Sequence, residues 1–213
     1  MTEAIALFIS AFVTLFVVID PPGCVPIFSS LTVGTSAAHR RAMAVRSFVI
    51  AAGVLVAFAL GGQPFLSALG ISLAAFKIAG GVMVFLIAID MVFEKRTERR
   101  ENRAEEVVAS AASLEEEDIS VFPMAIPMLA GPGSIAAVML LAARAGDALQ
   151  LGAVLAALAA VMVLTLLCLL AAGPIMKLMG AKFEGALTRL LGVVLAALAA
   201  QFVVDGIKQS FGL

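Results

Sequence analysis

Apolar residues run in six long stretches along the chain, separated by short polar or turn-forming segments. The stretches cover roughly 4–31, 45–61, 71–93, 119–143, 148–172 and 186–204. Most are about 18 residues or more, long enough for a helix to cross the hydrocarbon layer. The period-two alternation of a membrane barrel is absent, and lipid offers unpaired backbone no partners, so the spans are expected to be helical. The expected architecture is an all-α membrane protein with six transmembrane helices.

Two stretches are interrupted where a spanning helix should be continuous. The first break is Asp20-Pro21-Pro22-Gly23-Cys24-Val25-Pro26. The second is Pro127-Met128-Leu129-Ala130-Gly131-Pro132-Gly133-Ser134. Proline removes an amide donor and crowds the preceding turn. Thr35 or Ser36 is expected to cap a short basic helix leading into the second span, which should end at Gly62-Gln63-Pro64. Gly173-Pro174 should end the fifth. The polar segment 94–118 reads as a solvated cytoplasmic linker between residues 1–93 and 119–213.

A shift of 110 residues lays Pro22-Gly23 on Pro132-Gly133, Pro64 on Pro174 and Gly70 on Gly180. A shift of 112 lays Lys77 and Gly80 on Arg189 and Gly192. Several matches in one register point to a duplicated three-span unit. An odd number of spans forces the halves into opposite senses, giving two inverted three-helix repeats with broken helices 1 and 4.

Composition agrees with the pattern. Of 213 residues, 62% are hydrophobic and 14% charged, with a net charge of -1, which leaves no footprint for nucleic acid. With the N-terminus outside, ten Lys and Arg fall in inner loops and two in outer segments, leaving aside Lys77 and Arg189 within spans. The positive-inside rule then places both termini on the periplasmic side. No basic start precedes the first apolar run, so it reads as a retained span. One histidine, with no CxxC or HExxH motif, argues against a metal or protease site; no enzyme activity and no cofactor are expected. Two cysteines imply no disulfide framework.

The breaks carry the candidate chemistry. Counting from Ile119, Gly133 should lie about 20 Å into the membrane, near its middle. Half-helix starts there present unpaired amides and partial positive charge, which attract a carboxylate. Gly23, Gly131 and Gly133 would let a ligand approach the main chain, and Ser134 would cap or bind. Asp20 has no counterpart in the second half. It reads either as a binder of a proton, Na⁺ or an ammonium, or as an N-cap. Lys77 and Arg189 read as snorkelling residues or as lining an access path, with pairing to Asp90 a further option. Asp90 and Asp205 should face water, and His39 should sit solvated in a basic loop. Cys24 falls opposite Ser134 and Cys168 opposite Phe58, so the thiols are not repeat mates and an intramembrane thiol-redox carrier is the weaker alternative. A non-transporting regulatory or partner protein, acting through the linker, is another.

Asp20-Pro21-Pro22-Gly23 with Pro26-Ile27-Phe28, and the run from Phe122-Pro123 to Pro132-Gly133, resemble the MarC family of bacterial inner-membrane proteins. The resemblance covers nearly the whole chain and departs at Pro22 and Cys24. It implies a secondary transporter of small neutral amino acids such as glycine or alanine. The substrate carboxylate would then meet the amides at Gly23-Cys24 and Gly133-Ser134, close by Pro22, and Asp20 would take the amine or a coupling H⁺ or Na⁺. Oligomeric state is not legible.

Overall fold

The computed structural model describes residues 2–93, 118–178 and 181–212. Apart from Asp118, the expected linker lies outside them. The described chain is helical: α1 (Thr2–Ile19), α2 (Pro21–Leu31), α3 (Ala37–Ala68), α4 (Leu73–Val92), α5 (Ser120–Leu129), α6 (Pro132–Ala142), α7 (Ala148–Leu170), α8 (Ala172–Leu178) and α9 (Ala181–Phe211). Five segments are long and apolar enough to cross a membrane, with α1 and α2 read together as one. The bent pair α5–α6 makes a sixth.

Local chemistry sets most of the boundaries. Ser36, Ser72 and Asp147 each cap a helix by accepting an N–H three residues on, from His39, Ala75 and Gln150. His39 is therefore in the first turn of α3 and not in a loop. The expected stop at Gly62-Gln63-Pro64 is corrected: α3 runs through Pro64 to Ala68. A proline forfeits one ladder bond, and a helix otherwise continuous through the bilayer can absorb that loss. At 32 residues α3 is about 48 Å long, so its ends project beyond a core of about 30 Å. The expected stop at Gly173-Pro174 is corrected: α7 ends at Leu170 with its C-cap at Ala171, and Gly173-Pro174 lie in the first turn of α8.

Packing follows small residues. α4 and α9 make the most extensive contact and run antiparallel. A Cβ on Gly81 would stand 3.0 Å from the Ala199 carbonyl oxygen, and one on Gly206 2.9 Å from that of Ala74. At the other end, a Cβ on Gly192 would lie 3.1 Å from the Ala88 carbonyl oxygen. These glycines let two backbones approach where lipid supplies no hydrophobic drive between helices. Elsewhere α3 packs on α5 and α6, while α7 packs on α1 and α2. α6 is the most enclosed element, with eight buried residues, and touches α1, α3, α4 and α7.

Candidate functional site

At the first break one residue both ends α1 and starts α2. Asp20 precedes a proline, which disfavours continuing the right-handed helix. It adopts φ 59°, ψ 66°, a left-handed conformation that Asp tolerates better than most residues. Its N–H still donates to the Phe16 carbonyl at 2.9 Å, closing α1. Its own carbonyl accepts the Cys24 N–H, and its carboxylate accepts the Gly23 N–H, each at 3.2 Å. Pro21 and Pro22 have no N–H to satisfy. The start of α2 is therefore capped by the chain itself, and Asp20 is only 4% exposed.

The capping geometry requires glycine at position 23. A Cβ there would overlap the Asp20 carboxylate. The space expected to admit a ligand beside Gly23 is filled by that carboxylate, and the Gly23 and Cys24 amides are already donating. Next to them, the buried Cys24 thiol donates to the Ile19 carbonyl at 3.6 Å.

The second break is built differently. Phe122 and Ile126 each precede a proline and take extended φ/ψ values inside α5, and their bonds to Pro123 and Pro127 are cis. The coil between them is wide, with i→i−5 bonds from Met124 to Ile119 (3.3 Å) and from Ala130 to Ala125 (2.8 Å). Gly131 then stands extended at the head of α6, and the two helices meet at a bend of 52°. A Cβ on Gly131 would strike the Pro127 carbonyl oxygen.

The cap expected of Ser134 is corrected: the N-cap position of α6 is Gly131, and no side chain caps the helix. Pro132 lacks an N–H, and the intrahelical ladder opens with the Ile135 N–H donating to the Gly131 carbonyl at 3.0 Å. The Gly133 and Ser134 amides precede that bond, so the partial positive charge of the helix start lies at these two buried residues. Ser134 is 3% exposed. Gly133 is covered by Ile87 of α4 and stands against Val18 of α1, whose Cγ1 is 3.7 Å from where a Cβ would be. Val18 precedes Asp20 by two residues, so the two breaks are neighbours. They differ in charge: one holds a buried carboxylate, the other an uncapped helix start.

The remaining candidates lie apart from this centre. Lys77 is half-buried near the start of α4 and donates to the Gln209 side chain at 2.8 Å. Arg189 is exposed on α9. Asp205, expected to face water, keeps 33% of its side chain exposed, pairs with Arg144 at 3.0 Å and accepts from Gln201 at 2.6 Å. The Arg144 guanidinium also lies over the Phe202 ring, 4.6 Å from its centroid. A cation and an acid that both border apolar surface gain more as a pair than as separate charges. Asp118 bonds Arg46 at 3.0 Å and accepts both the N–H and the hydroxyl of Ser120. The Ser120 bonds, followed by the Arg46 charge, hold its carboxyl below the usual carboxylate range.

Comparison with known proteins agrees with this architecture. The family model described as "MarC family integral membrane protein" matches residues 5–211. A UPF0056 membrane protein of Methanocaldococcus jannaschii is 39% identical over 94% of this chain and 96% of its own. One from Archaeoglobus fulgidus is 35% identical over 96% and 94%. The UPF0056 inner membrane protein YhgN of Escherichia coli K12 is 34% identical over 94% and 96%. No solved structure matches. The chain belongs to the MarC family of multi-pass integral membrane proteins.

Proposed function

We propose that this protein is a secondary transporter of small zwitterions, glycine- or alanine-like, working by alternating access between two inverted three-helix repeats. The observation that carries the reading is the buried Asp20 carboxylate at one broken span, beside the uncapped start of α6 at the other. A neutral amino acid carries both complementary charges. Its ammonium would compete with Gly23 for the Asp20 carboxylate. Its carboxylate would take the Gly133 and Ser134 amides, and then the Gly23 amide that Asp20 gives up. Ionisable groups inside a membrane are costly and usually functional. Here a proton or Na⁺ at Asp20 would supply the coupling.

The packing supports the repeat. α3 embraces both halves of the second broken span, and α7 both halves of the first. Such reciprocity is what a pseudo-two-fold axis in the membrane plane produces. Because Ile87 and Asp20 fill the space beside Gly133 and Gly23, the described conformation is closed around the site, and admission of a ligand requires the Ile87 side chain to move aside. The YhgN relative is described as an inner membrane protein, and we place this chain likewise in the plasma membrane, with the basic face cytoplasmic and both termini outside.

Ligand that binds the folded state raises its apparent stability by mass action. Purified protein should therefore melt at higher temperature in glycine or alanine, and Asp20→Asn should lose the shift. A wild-type melting temperature that no small amino acid moves would oppose the reading.

A further inference from the structure

Of the cavities outside the breaks, two correspond in position. One of about 150 Å³ is bounded by the end of α2, the start of α3 and the α7–α8 junction, with Ser29, Thr32, Arg40 and Arg41 on its wall. The other, about 380 Å³, is bounded by the end of α6, the start of α7 and the far part of α3, with Gln63 and Asp147 on its wall. Both touch α3, at Arg40 and at Gln63. Those residues are separated by roughly 35 Å of helix, so the cavities open on opposite membrane faces.

Their walls occupy equivalent positions in the two halves of the chain. Under the 110-residue shift, eight of the eleven residues lining the first cavity fall on residues lining the second, Thr32 on Ala142 and Arg41 on Leu151 among them. Each cavity draws one lining segment from each half of the chain, and both segments land in register: 28–41 on 138–151, and 169–174 on 59–64. Only one of the eight coincidences, Pro174 on Pro64, is also among the sequence matches that suggest the repeat. Each cavity also sits where the half-helix that follows a break ends, so each is one half-helix away from the paired breaks.

The chemistry of the two walls differs. Arg40 and Arg41 make the first cationic. Asp147, whose carboxylate also caps α7, makes the second anionic. Fields focused in a narrow mouth raise the local concentration of a ligand's opposite charge.

We infer that these cavities are the two mouths of one path, equivalent under the repeat, the arginine-lined one drawing the carboxylate of a zwitterion and the aspartate-lined one its ammonium. The inference rests on the transporter reading above for its purpose, but not for its geometry. On the charge distribution, the arginine mouth is the cytoplasmic one.

Single cysteines test it in the full chain carrying Cys24→Ser and Cys168→Ser, in membrane vesicles of both orientations. Gly173→Cys and Gln63→Cys are repeat mates at the rims, and each has room for the new side chain. Ser29→Cys and Ala142→Cys report the depth of each cavity. A membrane-impermeant maleimide should label Gly173→Cys and Ser29→Cys from one face, and Gln63→Cys and Ala142→Cys from the other. A negatively charged methanethiosulfonate should react with Ser29→Cys several-fold faster than a positively charged one, with the preference lost on Arg40→Gln/Arg41→Gln. Ala142→Cys should show the reverse preference, lost on Asp147→Asn.

Labelling of both deep cysteines from one face overturns the inference. So does labelling of either only after denaturation, in protein that elutes as the wild type does. Charge preferences that are absent, or that survive the neutral variants, overturn the assignment of the two mouths. If labelling is as expected but glycine and alanine change no rate, the mouths stand and the amino-acid substrate falls.

Discussion

Ile87, from the second half of α4, covers Gly133 at the start of α6 and fills the space a side chain there would occupy. The contact joins the third helix of the first half to the broken span of the second. It is also the contact that must loosen if the site is to open.

Gly133→Ala forces the Ile87 terminal methyl to move, and overpacking of this kind costs about 1–3 kcal/mol. Ile87→Val should recover part of that loss in the double variant, because the two residues share one space. Gly131→Ala offers no such relief, since its neighbour is the Pro127 carbonyl oxygen and not a flexible chain end. It should be the more destabilising of the two and should not respond to Ile87→Val. Thermal unfolding in detergent of the two glycine variants, each with and without Ile87→Val, against wild type and Ile87→Val alone, checks the ranking.

Asp20 can be separated into cap and charge. Asn accepts the left-handed conformation and also caps, so Asp20→Asn should stay within about 1 kcal/mol of the wild type. Asp20→Ala loses the cap and strains the backbone at φ 59°, costing about 1–2 kcal/mol. Substrate-dependent stabilisation should vanish in both. Unfolding with and without glycine distinguishes the roles.

The α4–α9 seam makes a graded prediction. Gly81→Ala and Gly206→Ala each press a methyl against a carbonyl oxygen of the facing helix, so each should cost about 1–3 kcal/mol. Gly53 and Gly152 are also helical but have open space around them. Alanine at either should be neutral or stabilising by up to about 1 kcal/mol, through helix propensity and a less flexible unfolded chain. The same melting assay reads all four.

These contrasts also show what the sequence could and could not reveal. The breaks, the Ser36 cap and the bounds of α4 and α7 follow from local rules, since proline, glycine and short polar side chains act on their neighbours in sequence. That α3 would pass through Pro64 did not follow, because propensity marks the residue as a breaker while the membrane favours an unbroken helix. Donation of the Gly23 amide to Asp20 was half-legible: the N-cap option was visible, but not that the carboxylate would fill the space left for a ligand. Cover of Gly133 by Ile87, and pairing of Arg144 with Asp205 across 61 residues, are facts of tertiary packing with no local signal. The two cavities had one trace beforehand, the match of Pro64 with Pro174, and it read only as a span ending.

At the membrane edge, acid should weaken one contact in a defined direction. The Asp118 carboxyl is held below its ordinary value of about 3.9 by Ser120 and then by Arg46. A depressed carboxylate stabilises the fold at pH above its unfolded value, and that contribution fades as pH falls through the lower folded value. Wild type should therefore lose its advantage over Asp118→Asn only below about pH 4, and the effect should be small because the pair is exposed. Ser120→Ala should narrow the gap more than Arg46→Gln. Melting curves between neutral pH and pH 3 check the order.

Uptake of labelled glycine and alanine into proteoliposomes, under imposed proton and Na⁺ gradients, tests the central claim most directly. Wild-type protein should accumulate at least one of them above empty vesicles, and Asp20→Asn, although folded, should not. Equal counts in wild-type and empty vesicles under every gradient, or full uptake by Asp20→Asn, would contradict it.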